Sequence, residues 1–237
     1  MKPLGSTLLI FDLDGTLVDS AGDITNAANS LLAALGRAPL PVDAVRGMVG
    51  EGARRLVERL LIARPGSDIS VDSALEKFLA LYAVQPTSQA ALYPGVIETL
   101  DHLAAQGAAM ALCTNKPGIP TNNVLRDLGL SHYFGAVIAG DTLAIRKPDG
   151  RVLDGIIAAL GTGRDDIILV GDSEIDSATA AAAGIPFILM TYGYHHQPPD
   201  SIPAMFRLDR FSELIPLLPL AAGDSARRDY HARQQSL

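Results

Sequence analysis

A chain of 237 residues, 48% of them hydrophobic, has room for one large domain or for a core with a smaller inserted module. Its formal net charge of −7 argues against nucleic acid or an anionic membrane as the main partner, although a bound cation would still let it hold a small anion. The single cysteine, Cys113, leaves no intramolecular disulfide and suits a reducing, cytoplasmic setting; no secretory signal is expected in the first residues, and the apolar run from Leu214 to Ala222 is short and broken by Pro216 and Pro219, so no membrane span is expected.

The first strand-like run is Leu8-Leu9-Ile10-Phe11, which empties into Asp12-Leu13-Asp14-Gly15-Thr16. Alternation along a strand puts Asp12 and Asp14 on one side of its carboxyl end, where open α/β sheets bind ligands. Two carboxylates that close repel each other unless a cation or a shared proton intervenes. Mg²⁺ arriving with a phosphate is the simplest answer; the plainer reading of the pair alone is a polar strand exit.

Leu17 to Ser20 reads as a loop leaving the sheet, and helical spacing then begins near Asp23. Ile24, Ala27, Ala28, Leu31, Leu32 and Leu35 share one face, and Gly36 stops the run. A short helix starts at Leu40-Pro41-Val42-Asp43. A third follows Gly50-Glu51-Gly52 and repeats Leu56, Val57, Leu60 and Leu61. After a Pro65–Asp68 loop, Ser73 to Ala83 is helical again, with Leu75, Phe78, Leu79 and Tyr82 expected inward. Residues 20–90 thus carry no convincing strand. Tyr93-Pro94-Gly95 marks the return. Beyond it come a helix over 96–106, a strand over 109–113, a helix over 119–128 and a strand over 136–138. A helix over 151–160, a strand over 167–170, a helix over 176–183 and a strand over 186–190 complete the series. This alternation predicts an α/β fold: a Rossmann-like parallel sheet with helices on both faces. From Ala221 the tail has no sustained apolar face.

Four strand ends carry polar groups: Asp12/Asp14, Thr114-Asn115, Lys147 and Asp172/Asp176. In a parallel sheet all four converge on one edge. Each has a bland reading by itself: Thr114-Asn115 as a strand exit or N-cap, Lys147 before Pro148 as a turn lysine, Asp172 and Asp176 as helix-start residues. Together they resemble the haloacid dehalogenase-like hydrolase superfamily, through Asp12-Leu13-Asp14-Gly15-Thr16, Thr114-Asn115-Lys116, Lys147-Pro148 and Gly171-Asp172-Ser173-Glu174-Ile175-Asp176, in the family's order.

The resemblance implies a Rossmann-like catalytic core over 1–18 and 93–220, an α-helical cap domain over 19–92 and a tail over 221–237. It implies Asp12 as nucleophile forming an aspartyl-phosphate and Asp14 as general acid and base. Mg²⁺ would be held by Asp12, Asp14 through its backbone carbonyl, and Asp172, with Asp176 as ligand or support. The Thr114 hydroxyl, the Asn115 amide and Lys147 would bind the phosphoryl group. Gly50-Glu51-Gly52 before a helix, Leu56-Val57-Glu58-Arg59 and Thr191-Tyr192-Gly193-Tyr194 look like the phosphoglycolate phosphatase branch. Gly52, Arg54 and Arg55 would then read the substrate, a small phosphorylated metabolite, 2-phosphoglycolate foremost. Two positions depart from the pattern: Glu51 where a neutral residue is expected, and Gly150 where a second proline is usual. Phosphatases of sugar phosphates, N-acetylmuramate 6-phosphate or pyrophosphate, a phosphosugar mutase and, more remotely, a non-catalytic phospho-sensor stay open. A dehalogenase needs no second aspartate, and a phosphonate hydrolase needs a cap lysine, for which residues 20–90 offer only Lys77, preceded by Glu76. A monomer and a homodimer are both compatible with the pattern.

Overall fold

The computed structural model describes residues 7–66, 68–161 and 167–221. The tail expected from 221 onward therefore lies outside the described residues except for Ala221. The chain opens with β1 (Leu8–Phe11) and a short β2 (Val18–Asp19). It runs through α1 (Ala21–Ala34), α2 (Val42–Arg46), α3 (Ala53–Ala63) and α4 (Val71–Ala83), and returns at β3 (Ala91–Leu92). The remainder is α5 (Val96–Ala105), β4 (Ala109–Cys113), α6 (Gly118–Asp127), β5 (Ala136–Ile138), α7 (Asp154–Leu160), β6 (Ile167–Gly171), α8 (Glu174–Ala183), β7 (Phe187–Met190), β8 (Phe206–Leu208) and α9 (Leu214–Ala221).

Six strands form one parallel sheet in the order β5-β4-β1-β6-β7-β8. β1 is central and wholly apolar because both its faces are covered. Leu9 and Phe11 enter the cluster with α5, α6 and α9, while Leu8 and Ile10 enter the one with α7 and α8. Phe11 packs between Phe134 and Phe211, with ring centroids 6.4 and 5.8 Å away. The strand order reverses at β1, so the crevice at its carboxyl end is a topological switch point.

β8 is the strand the sequence does not announce. It is three residues long, follows Pro203 and has Arg207 at its centre. Its pairing with β7 at the sheet edge, rather than any pattern of its own, makes it a strand. The helix expected over 151–160 begins as a 3₁₀ turn over Gly150–Leu153 and becomes α-helical at Asp154. Gly150 also explains its departure from the family pattern. A Cβ there would sit 2.5 Å from the Ala183 backbone nitrogen, so this loop closes on the end of α8 only without a side chain.

The helices α1–α4 share an apolar cluster of their own, built on Leu31, Leu32, Val57, Leu60 and Phe78. In α4 the buried stripe is Ala74, Phe78 and Tyr82, a strict i, i+4, i+8 row. Leu75 is partly covered, but Leu79, expected inward, is 36% exposed on the outer side of the helix. Two chain segments join this block to the sheet. They pair as β2 with β3, Val18 opposite Leu92 and Asp19 opposite Ala91. The buried Asp23 carboxylate pins the returning segment, accepting from the backbone N–H groups of Ser88, Gln89 and Ala90 and from the Ser88 hydroxyl. No helix among the described residues is long and apolar enough to cross a membrane.

Candidate active site

The sheet's carboxyl edge brings Asp12, Asp14, Thr114, Asn115, Lys147, Asp172 and Asp176 together. Asp12 and Asp14 leave β1, Thr114 and Asn115 leave β4, Asp172 leaves β6, and Asp176 lies in the first turn of α8. Carboxylate oxygens of Asp12, Asp172 and Asp176 all lie within 4.8 Å of one another, and all three residues are buried. Three buried anions so close demand counter-charge. Lys147 supplies one, with its Nζ 2.6 Å from Asp176 Oδ1 and 3.0 Å from Asp12 Oδ1. Burial pulls the Lys147 ammonium down, but Asp12 and Asp176 outweigh it and hold it above its ordinary value. Burial pushes the Asp12 carboxyl up to about 6 against the pull of Lys147, with Asp176 adding to the rise. Asp172 is raised too, by burial first and then by Asp176 and Asp12. One lysine leaves the cluster short of positive charge. Asp12 Oδ1, close to Lys147 but outside hydrogen-bond geometry, is also an orphaned buried acceptor. An all-oxygen donor set with surplus negative charge fits a hard divalent cation.

The three acids differ in how they are held. Asp172 Oδ1 accepts from the Thr16 hydroxyl at 2.7 Å and Oδ2 from the Tyr194 backbone N–H at 2.6 Å. That second contact needs Gly193, because a Cβ there would fall 2.2 Å from Asp172 Cβ. Asp176 has both oxygens engaged: Oδ1 by Lys147, Oδ2 by the Ser173 hydroxyl at 2.6 Å and the Ser173 N–H at 3.2 Å. It closes the capping box of α8.

Asp14 is not in this cluster. Its side chain turns to the Ser20 hydroxyl at 2.5 Å and to Lys116 Nζ at 3.0 Å. Lys116 also donates to the phenol of Tyr82. Ser20, Lys116 and Tyr82 are all visible in the sequence, as the end of the loop leaving the sheet, the last residue of a motif and an inward helix position. Nothing in the pattern says that a residue of α4 reaches a residue beyond β4. Tyr194 is a second such case. Its hydroxyl accepts from the N–H groups of Ser20 and Ala21 at 2.8 and 3.0 Å and donates to Asp19 at 2.6 Å. One residue thus binds the Asp172 carboxylate by its backbone and the start of α1 by its side chain.

Asn115 departs from its expected use. Its side-chain N–H groups go to the carbonyls of Gly50, at 3.0 Å, and Lys147, at 3.1 Å, so this amide ties the helical block to the sheet. Its Oδ1 is buried without a partner. Cys113 is buried in the core beside Lys147, and burial pushes its thiol up to about 12, which leaves it without nucleophilic character.

Asp12, Asp14, Thr114 and Lys116 line a cavity of about 40 Å³ whose other wall is Ile24, Val49, Gly50, Gly52, Leu56 and Phe78 of the helical block. Gly52 reaches it; Arg54 and Arg55 do not. Arg54 pairs with Asp72, and Arg55 pairs with Glu58 at 2.7 Å and Glu51 at 3.7 Å, on the outer side of α3. An arginine in a helix's first turn lies near the N-terminus without pointing over it; Arg55 is captured by acids three and four residues away and Arg54 by an acid of the neighbouring α4. Glu51, the other departure from the family pattern, faces Arg59 and Arg55 instead of the cavity.

Residues 9–190 match the family model described as haloacid dehalogenase-like hydrolase, and the chain belongs to that family. It is 44% identical over 212 residues to a phosphoglycolate phosphatase from Rhodospirillum rubrum, covering 87% of this chain and 88% of that one. It is 41% identical over 221 residues to a phosphoglycolate phosphatase from Agrobacterium fabrum, covering 92% and 94%. A solved structure described as a predicted phosphoglycolate phosphatase from Haemophilus somnus superposes with a TM-score of 0.81 at 28% identity, over 90% of this chain and 98% of that one. By family and relatives the chain is an enzyme, and its class is phosphatase.

Proposed function

We propose that the chain is a Mg²⁺-dependent phosphomonoesterase that converts 2-phosphoglycolate to glycolate and phosphate through an aspartyl-phosphate on Asp12. The observation that carries this reading is the division of labour between two aspartates from one strand end. Asp12 faces the cation-deficient cluster, while Asp14 faces the cavity from a separate set of partners. In the first step an Asp12 oxygen bonds to phosphorus, the ester P–O bond breaks, and Asp14 gives its proton to the departing alkoxide. In the second step Asp14 takes a proton from water as that water bonds to phosphorus, releasing phosphate and restoring the Asp12 carboxylate. Lys147 offsets charge on Asp12 and on the phosphoryl oxygens. The Thr114 hydroxyl and, since the Asn115 side chain is committed elsewhere, the Asn115 backbone N–H donate to those oxygens.

Asp12, Asp172 and the Asp14 backbone carbonyl would hold the cation, and Asp176, ion-paired to Lys147 and closing the capping box, supports Lys147 and α8. The bound ion would supply the positive charge that the cluster lacks and offset that of the phosphoryl group. The helical block 19–92 acts as a cap, with β2 and β3 as its hinge, excluding water and shaping the leaving-group side. 2-Phosphoglycolate would lie in the cavity between this block and the sheet edge. The names of the relatives support the same substrate. A free buried thiol suits work in the cytoplasm.

The test is phosphate release from 2-phosphoglycolate, pyrophosphate, glucose 6-phosphate and N-acetylmuramate 6-phosphate, each with Mg²⁺ and with EDTA. Mg²⁺-dependent preference for 2-phosphoglycolate supports the reading. Preference for a larger ester keeps the chemistry and discards the substrate.

A further inference from the structure

The cavity contains a pair of donors that the proposed chemistry does not use. We propose that Lys116 and Tyr82 together form the subsite that reads the carboxylate of the substrate, so that the enzyme selects 2-O-phosphorylated carboxylic acids. This inference rests on the phosphatase reading and assigns its specificity. Lys116 is the only cation among the described residues lining the cavity, since Lys147 is turned to Asp12 and Asp176, and Arg54, Arg55 and Arg59 of α3 are paired with Asp72, Glu58 and Glu51.

An ammonium carries three N–H donors. Lys116 contacts Asp14 Oδ1 at 3.0 Å, Asp14 Oδ2 at 3.2 Å and the Tyr82 oxygen; two of these contacts go to one carboxylate, so one N–H can pass from Asp14 to a substrate oxygen while the ion pair stays in place. The Tyr82 phenol accepts from Lys116, and its own proton has no protein acceptor among the described residues. Two donors within hydrogen-bond reach of each other match the two oxygens of one carboxylate. Both groups keep these protons at working pH. Burial pulls Lys116 down, but Asp14 and Tyr82 outweigh it and hold it above its ordinary value, while burial pushes the Tyr82 phenol up to about 12. The rest of this wall, Ile24, Leu56 and Phe78, is apolar and offers an anion nothing else.

The spacing also selects which acids fit. Lys116 Nζ lies 3.0 Å from the oxygen of Asp14, the group that protonates the ester oxygen. A carboxylate read beside that point sits close to the ester oxygen, as it does in a 2-phospho acid.

The experiment compares kcat and KM for 2-phosphoglycolate and for 2-hydroxyethyl phosphate, which carries a hydroxymethyl group in place of the carboxylate. The proteins are wild type, Lys116→Met and Tyr82→Phe. The expected result is that the wild-type preference for the acid falls roughly ten- to hundred-fold in Lys116→Met, mainly through KM of the acid, and less in Tyr82→Phe. An equal fall on both esters, with the preference intact, would overturn the proposal and leave Lys116 as a support for Asp14. If Lys116→Met does not fold, Tyr82→Phe alone decides by the same ratio, and an unchanged ratio overturns the proposal. A wild type that prefers neither acid nor hydroxyl ester would instead sink the substrate reading on which the subsite rests.

Discussion

Replacing Lys147 by methionine tests the electrostatics of the acidic cluster most sharply. Lys147 is buried with its Nζ 2.6 Å from Asp176 and 3.0 Å from Asp12, and Asp172 lies in the same cluster. Exchanging a whole buried ion pair for apolar groups is often neutral, but removing one partner strands the other and costs about 3–5 kcal/mol. Here two carboxylates, Asp12 and Asp176, lose that partner, with Asp172 beside them. For a chain of this size each kcal/mol corresponds to roughly 2–4 °C, so Lys147→Met in EDTA should melt about 6–20 °C below wild type. The cost is moderated because Asp12 and Asp172 can protonate, so the deficit should be larger at pH 8 than at pH 5. Mg²⁺ should recover more of the melting temperature in the variant than in wild type, since it meets a less neutralised site. The assay is thermal unfolding by circular dichroism at both pH values, with and without Mg²⁺. A deficit under about 2 °C in EDTA, or equal Mg²⁺ increments in both proteins, would refute the account of the cluster.

Three further outcomes follow from the same geometry. Asp12 is a carboxyl whose folded value, about 6, lies above its ordinary 3.8, so its contribution is fullest below the ordinary value and is lost as pH rises through about 6. That is about 3 kcal/mol at 1.36 kcal/mol per unit. Metal-free protein should therefore lose stability across that window, and Mg²⁺ should raise its melting temperature more at pH 7.5 than at pH 5, measured by calorimetry; the reverse order would exclude Asp12 as a ligand. Tyr194→Phe strands the buried N–H of Ser20 and leaves that of Ala21 only its longer contact with Asp19, at 3.3 Å, so it should cost about 1–3 kcal/mol in urea unfolding, whereas a cost under about 0.5 kcal/mol would mean water replaces the hydroxyl. Arg54→Ala and Arg55→Ala remove surface pairs only, so kcat/KM should stay within about three-fold and a hundred-fold loss would return them to the substrate site.

What the sequence made legible follows a physical division. Features carried by local chemistry were readable. The apolar run 8–11 needs only burial on both sides, and the spacing of Asp12 and Asp14 needs only the two-residue period of a strand. Features created by packing were not. β8 is a strand because β7 offers it an edge, and Leu79 is exposed because Ala74, Phe78 and Tyr82 already fill the buried stripe. The side chain of Asn115 serves as a tie because Gly50 and Lys147 both present carbonyls to it. The arginines of α3 show the same limit from the other side. Their position near a helix N-terminus suggested anion binding, but Asp72, Glu58 and Glu51 capture them before any substrate does. Lys116 was in plain view as part of a motif, yet its significance depends on Tyr82, which only the folded chain brings beside it.

The central claim is that Asp12 accepts the phosphoryl group, and the direct measurement is phosphate release from 2-phosphoglycolate by Asp12→Asn in saturating Mg²⁺, beside a calorimetric check that the variant folds. An amide oxygen is a poor nucleophile and a weaker partner for both Lys147 and a cation, so the account predicts a folded protein whose kcat is lower by at least roughly a thousand-fold. A folded Asp12→Asn protein that keeps kcat within about ten-fold of wild type would contradict the mechanism and remove Asp12 from its centre.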